Sequence, residues 1–328
     1  VRILITGVAG FVGSHLLQHL LNETPDAEIH GTIMEHSHRP DVPQLICHAL
    51  NLKDERGLTD LIEQVRPTQI YHLAAQASPK ASFKNPWDTL ENNIQTQVNI
   101  LQACLTTQIQ PRILIISSAE IYGLVPPEML PATEDCPLQP RNPYAVSKIA
   151  QDMLGLQYFI SHHLPILRVR PFNHIGPGQS EGFVAVDFAI QIARIEAGLQ
   201  PLVMAVGNLA AQRDFMDVRD VVRAYRLVME QGTPGDVYNV ASGKTYSVQA
   251  LLDTLLNYST AKIDIQTDPA RMLPADVPII QGDASRLRQA TGWQPTIPFE
   301  QSLLDVLNDC RERVARTSAA NRRADAGQ

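Results

Sequence analysis

Long hydrophobic runs are missing from this sequence. Unbroken apolar stretches are only a few residues long, as at Ile113 to Ile116. A membrane-crossing helix needs about 20 consecutive apolar residues, so a membrane protein of that kind is excluded. Cysteine is scarce: Cys47, Cys104, Cys136 and Cys310 are the only four. None forms a Cys-x-x-Cys pair, and the spacings suit neither a zinc site nor a disulfide framework. Reduced thiols and a cytoplasmic location are expected. An excess of positive charge is also lacking. Lys plus Arg is 27 against 34 for Asp plus Glu, a formal net charge of −7. Neither nucleic acid nor an anionic membrane surface is then an expected partner, and any anionic ligand must be held by local donors. His30, His36 and His38 are close in sequence. No carboxylate or thiol accompanies them at ligand spacing, so they read as a solvated loop and no metal is expected. From the strand-like opening Arg2-Ile3-Leu4-Ile5, no signal peptide is expected.

What is present is a large core. With 328 residues, 44% of them hydrophobic and 19% charged, the chain has material for two domains at about 150 residues each. Ile3 to Thr6, Glu28 to Thr32, Ile70 to Leu73, Arg112 to Ser117 and Ile166 to Val169 read as strands. Gly13 to Asn22, Leu58 to Val65, Thr89 to Thr106 and Tyr144 to Ser161 read as helices between them. This alternation predicts an α/β fold, a Rossmann-type doubly wound parallel sheet. The proline-rich stretch 126–143 reads as a long loop before a helix that Asn142 caps and Pro143 opens. After about residue 170 the alternation breaks, and a smaller mixed α/β lobe is expected. The division is 1–170 for dinucleotide binding, with a return near 215–241, then 171–214 and 242–316 for substrate, and a frayed tail at 317–328.

Three stretches carry chemistry. Ile5-Thr6-Gly7-Val8-Ala9-Gly10-Phe11-Val12-Gly13 places three glycines, three apart, after a strand and at the opening of a helix. The first permits a tight turn, the second lets backbone approach a pyrophosphate, and the third lets helix pack on strand. No acidic residue ends the second strand at His30-Gly31-Thr32-Ile33, and Glu35 comes late. Arg39 and the nearby histidines suit a 2′-phosphate, which tilts the coenzyme from NAD(H) towards NADP(H). Further on, Tyr144-Ala145-Val146-Ser147-Lys148 sets a phenol and an ammonium on one helix face. A nearby ammonium is expected to lower the tyrosine pKa from about 10, making it a usable acid or base. Ser117-Ser118-Ala119-Glu120 closes a buried strand at its ligand-binding end. A hydroxyl there can bond a carbonyl or cap a turn, and a carboxylate there can carry a proton.

Four features in order make the chain resemble the extended short-chain dehydrogenase/reductases that modify nucleotide sugars. They are the Gly7/Gly10/Gly13 turn, His72-Leu73-Ala74-Ala75, Ser117-Ser118-x-Glu120-x-Tyr122-Gly123, and Tyr144-x-x-x-Lys148. The resemblance covers nearly the whole chain, short of the tail. It implies Ser118, Tyr144 and Lys148 as the catalytic triad, with Lys148 also on the nicotinamide ribose. It implies coenzyme contacts at Gly7, Gly10, Phe11, Val12, Gly13, Asn51, Leu52, Leu73, Ala74, Ala75, Tyr144 and Lys148. Two departures stand out: Asn51-Leu52 where the family often has Asp-Leu, and Asn93-Ile94-Gln95-Thr96 where it often has Asn-x-x-Gly-Thr.

The second lobe narrows the resemblance. Phe172-Asn173-His174-Ile175-Gly176-Pro177-Gly178-Gln179, Gly182-Phe183-Val184, Val206-Gly207-Asn208-Leu209, Arg213-Asp214-Phe215 and Arg271-x-x-Pro274-Ala275-Asp276-Val277-Pro278 are similar to enzymes acting on GDP-mannose derivatives. That implies a GDP-linked sugar as substrate, with Asn173, His174 and Val184 near it and Arg213 and Arg271 clamping its diphosphate, since guanidinium pairs two oxygens at once. His174 reads equally as a buried histidine that shapes the loop. The implied reaction is reduction of the C4 ketone of GDP-4-keto-6-deoxy-D-mannose to GDP-D-rhamnose. The alternative is dehydration of GDP-mannose, with Glu120 as the extra acid/base, although Gly-Val-Ala-Gly-Phe-Val-Gly lacks the Gly-Gln-Asp-Gly form expected of such dehydratases. Another nucleotide-sugar epimerase or dehydratase and a non-catalytic NADP-binding scaffold are the remaining readings. The family also implies a homodimer through the helices at 89–106 and 144–161. The apolar side chains Ile94, Val98, Leu101, Met153 and Leu154 fit that interface or the sheet equally.

Overall fold

A computed structural model describes residues 1–271 and 277–326. Its first lobe alternates strands and helices. They are β1 (Arg2–Thr6), α1 (Phe11–Glu23), β2 (Glu28–Ile33), β3 (Leu45–Ala49), α2 (Glu55–Val65), β4 (Gln69–His72), α3 (Pro79–Lys84), α4 (Pro86–Thr106), β5 (Arg112–Ile116), α5 (Pro143–His162) and β6 (Ile166–Pro171). The chain then enters the second lobe with β7 (Asn173–Ile175), α6 (Val184–Glu196), β8 (Val203–Val206), β9 (Gln212–Arg213) and β10 (Phe215–Asp217). It returns through α7 (Val218–Gln231) and β11 (Val237–Val240). It finishes with β12 (Tyr246–Ser247), α8 (Val248–Asn257), β13 (Asp264–Thr267), β14 (Ile279–Ile280), α9 (Ser285–Thr291) and α10 (Phe299–Ala326).

The main sheet has seven strands in the order β11-β6-β5-β4-β1-β2-β3, every pair parallel. Parallel strands need helical crossovers, and these cover both faces. That is why Ile3, Leu4, Ile5, Ile113, Leu114 and Ile115 are continuous apolar runs and are buried on both sides. One apolar core lies on the α1/α7 face, around Ile5, Leu16, Leu114 and Val221. Another lies on the opposite face, around Leu58, Ile62, Ile100, Leu101 and Ile113. Leu101 therefore points at the sheet, not outward. β3 is an edge strand with Ile46 and Ala49 open to solvent, so it carries no continuous buried apolar run.

Strand order reverses between β1 and β4, and the crevice above that reversal is where open parallel sheets take ligands. The glycine turn after β1 and Leu73 to Ala75 after β4 face each other there. A Cβ on Gly7 would lie 3.1 Å from the Ala74 Cα.

The second lobe has its own core, in which α10 packs Leu303, Val306, Leu307, Cys310 and Val314 at helical spacing against α6 and α8. α10 continues to Ala326, into the stretch that composition suggests as a tail. Alanine and arginine dominate there, and both favour helix. The stretch 126–142 is a loop with one short 3-10 turn at Pro127–Met129, tied to the second lobe by the Ala132 N–H, which donates to the Gln281 carbonyl at 2.8 Å. No helix among the described residues is long and apolar enough to cross a membrane.

Candidate active site

The glycine turn is built for close approach. Gly7 has φ +69, in the left-handed region. A Cβ on Gly13 would lie 2.3 Å from the Gly7 carbonyl oxygen and 2.9 Å from the Val8 Cα, so only glycine fits. Gly10 caps α1 without a side chain. The first N–H groups of α1 are thus left for an anion, at the positive end of the helix. These features fit a dinucleotide pyrophosphate.

The adenosine end is less clearly drawn. Asn51 and Leu52 do not line the main cavity. Leu52 is buried, and its carbonyl accepts from Asn99 Nδ2 at 2.9 Å. Asn51 Oδ1 accepts from the Lys53 N–H at 3.0 Å. Arg39 borders a separate hollow of about 300 Å³ beside Asp41 and Leu45. The histidine group comes apart: His36 and His38 are exposed, whereas His30 is buried between Glu28, at 2.8 Å, and His48, at 2.9 Å. No metal-holding group occurs among the described residues.

Gly7, Gly10, Phe11, Val12, Gly13, Leu73, Ala75, Ser118, Glu120, Tyr144, Lys148, Asn173, His174, Val184, Arg213 and Arg271 all line one cavity of about 620 Å³. Ala74 packs behind it, its N–H donating to Thr6 Oγ1 at 3.1 Å.

Within the cavity, α5 is opened by Asn142 Oδ1, which accepts from the Ala145 N–H at 2.7 Å, and by Pro143 in its first turn. This presents Tyr144 and Lys148 on one face. Tyr144 is hydrogen-bonded to Ser118. Ser118 Oγ also accepts from the Glu120 N–H at 3.2 Å, so the serine caps a turn and faces the site at once. Lys148 Nζ donates to the Ile116 carbonyl at 2.9 Å and stands 5.8 Å from the Tyr144 ring centre.

The direction of the tyrosine shift is opposite to the one its spacing from lysine suggests. Burial pushes the Tyr144 phenol up, and Glu120 adds to this, against the Ser118 hydrogen bond. Burial instead lowers Lys148 to about 7. Both groups are taken out of water, which favours the neutral form of each. Tyr144 therefore keeps its proton. Glu120 is held by Asn142 Nδ2 at 3.1 Å.

Where the second lobe borders the cavity, His174 donates from Nδ1 to the Phe172 carbonyl at 3.0 Å and stacks on Phe11 at 6.1 Å between ring centres. Burial lowers its pKa. It shapes the join between the phosphate turn and β7. Arg213 donates to the carbonyls of Gln212 and Val277, at 2.8 and 2.7 Å. Arg271 sits 3.7 Å from Asp268, with its carbonyl packed on Gly207. Pro274, Ala275 and Asp276 of the same motif lie outside the described residues.

The family model for GDP-mannose 4,6 dehydratase matches residues 4–306. The chain belongs to that family. Within the GDP-mannose 4,6-dehydratase family, it is 38% identical to GDP-6-deoxy-D-mannose reductase of Pseudomonas aeruginosa over 313 residues, 95% of this chain and 98% of that one. It is 30% identical to GDP-mannose 4,6 dehydratase 2 of Arabidopsis thaliana, over 95% of this chain and 87% of that one. The solved structure of RMD from Pseudomonas aeruginosa complexed with NADPH superposes with a TM-score of 0.83 at 37% identity, covering 95% of this chain and 99% of that one. The resemblance to extended short-chain dehydrogenase/reductases is thereby borne out: the chain is a nicotinamide-dependent oxidoreductase of that type.

The family's cavity also holds residues that the sequence does not flag. Lys80 and Phe83 reach it from α3 and Ser78 from its N-cap, Arg141 from the turn before α5, and Tyr225 from α7. Arg141 stands one residue before the Asn142 cap, a position from which a signal could have been drawn. α3 is only six residues long, too short to show a period.

Proposed function

We propose that this protein reduces the C4 ketone of GDP-4-keto-6-deoxy-D-mannose to GDP-D-rhamnose, with NADPH preferred over NADH. The observation that carries the reading is the buried Tyr144 phenol, protonated and hydrogen-bonded to Ser118 beside Lys148. A reductase needs a proton donor at the start of its step, whereas an enzyme that begins by oxidising C4 needs a base there. The higher identity to the reductase than to the plant dehydratase supports the same choice.

The coenzyme would be held by the Gly7–Gly13 turn and by Lys148, and when bound it supplies the hydride for C4. Ser118 orients and polarises the C4 carbonyl through its hydroxyl. Tyr144 gives its proton to the C4 oxygen as negative charge grows there. Lys148, in its cationic form, stabilises the phenolate that remains. Arg213 and Arg271 hold the diphosphate, so that C4 stays within reach of Tyr144. Water is kept from the step by the burial of Tyr144 and Lys148.

Dehydration of GDP-mannose is the second reading, favoured by one observation: Glu120 lines the cavity and lies close enough to Tyr144 to influence its proton. The test supplies GDP-4-keto-6-deoxy-D-mannose with NADPH or NADH, and GDP-mannose alone in parallel, with products identified by NMR. Coenzyme oxidation with a 4-hydroxy product is expected. A 4-keto product from GDP-mannose without reduction transfers the assignment to the dehydratase.

The homodimer and the cytoplasmic location belong to this reading. Val146, Met153 and Ile160 lie seven residues apart on α5 and are all exposed. Such a stripe suits pairing with the same helix of a second copy. Sedimentation of the purified protein tests it.

A further inference from the structure

Tyr225 lines the cavity from α7. It is 0% exposed, and its hydroxyl has no hydrogen-bond partner. An unpaired buried hydroxyl destabilises a core, and a phenylalanine would fill the same space without that cost. Burial pushes the phenol's pKa well up, and Tyr144 pushes it further. The group is therefore neutral, and can both donate and accept.

Its place in the fold identifies what it faces. Tyr225 belongs to the core that contains Ile5, Val8, Leu16 and Leu114, not to the core of the second lobe. α7 packs along α1, the helix that opens at the phosphate turn, and against β5 and β6. Arg226, the next residue, donates to His19 of α1 at 3.1 Å. Tyr225 also lies within electrostatic reach of Tyr144. It thus lines the cavity from the first lobe, the lobe that carries the glycine turn, and within reach of the proton donor. Tyr71 has an equally orphaned hydroxyl, but it does not line the cavity.

We infer that Tyr225 is a coenzyme-binding residue, whose hydroxyl finds its missing hydrogen bond on a polar group of the nicotinamide half of the bound dinucleotide. This rests on the coenzyme reading above. It assigns a role to a side chain that otherwise reads as core packing.

Tyr225→Phe removes one oxygen and keeps the ring. The measurements are the Kd for NADPH and NADH by calorimetry, without sugar nucleotide, and the Tm of the coenzyme-free protein. The expected result is an unchanged or raised Tm with a Kd about three- to tenfold weaker, the size of one neutral hydrogen bond. KM for the sugar nucleotide stays as in the wild type. Tyr71→Phe, the control, leaves the coenzyme Kd unchanged. A Tyr225→Phe Kd within twofold of wild type overturns the inference. So does a fall in coenzyme-free Tm, which would mean that the hydroxyl is already satisfied in the free protein. Wild-type protein that binds neither coenzyme overturns the coenzyme reading itself, so the two failures are told apart.

Discussion

The two walls of the cavity are made in different ways. On the wall proposed for the coenzyme, the working groups leave the ends of buried strands or capped helices, and Ser118, Tyr144 and Lys148 are each less than a tenth exposed. On the wall proposed for the sugar nucleotide, Arg213 rides on a two-residue strand and Arg271 ends a three-residue turn, with its side chain 39% exposed. The first wall fixes proton and hydride geometry to a rigid sheet. The second offers a grip that small changes in loops can alter. One fold can therefore keep its redox chemistry while its sugar changes.

The largest test of this contrast is on the rigid wall. Tyr144→Phe should lower turnover by about 10²- to 10⁴-fold, the usual worth of a positioned general acid. Coenzyme affinity, read by calorimetry, should hardly change. Turnover within threefold of wild type would remove Tyr144 as the proton donor.

Lys148 gives the next effect, through pH. Its pKa is lowered from 10.5 to about 7, so the buried cation is lost as pH rises through about 7. A diphosphate coenzyme favours the cation. kcat/KM for coenzyme should then fall above pH 7, by up to about tenfold per unit for a single group. Folding stability runs the other way. Between about pH 7 and 10.5 the unfolded chain holds the lysine proton and the coenzyme-free fold does not, so stability rises with pH across that window. Lys148→Met should abolish both slopes, as followed by steady-state kinetics and by Tm against pH.

On the adjustable wall, Arg213→Lys should raise KM for the GDP-sugar by about tenfold, since the ammonium cannot reproduce a forked contact. Coenzyme Kd should stay constant. A loss of both would mean that the two walls are not separable and that Arg213 is chiefly a support for the Val277 carbonyl.

The same contrast governs what could be read in the sequence. β1, β4, β5 and β6 are legible because burial on both faces demands unbroken apolar runs. The glycine turn and the Tyr144/Lys148 pair are legible because their spacing is itself the chemistry. β3 escapes a run-based reading because an edge strand tolerates an exposed Ile46. α3 escapes because six residues hold less than two turns. The upward shift of Tyr144 escapes because spacing reports a neighbour, whereas burial, the larger effect, depends on what packs around it. Tyr225 looks like any core aromatic until its hydroxyl is found without a partner.

Glu120 provides the smallest effect and the sharpest discrimination. Its carboxylate raises Tyr144 and is anchored by Asn142, the cap of the helix that carries the proton donor. In a reductase it touches the step only through the phenol. Glu120→Gln keeps the shape and removes the charge, so the Tyr144 proton should become slightly easier to lose. Reduction at neutral pH should then change by less than about threefold, a fraction of one pKa unit in a group that stays protonated. In a dehydratase the same carboxylate must take or deliver a proton during the loss of water, and its removal should cost about a hundredfold or more. Measuring NADPH oxidation with the 4-keto substrate and 4-keto product formation from GDP-mannose, both by Glu120→Gln, therefore tells whether this carboxylate tunes the rigid wall or reacts within it.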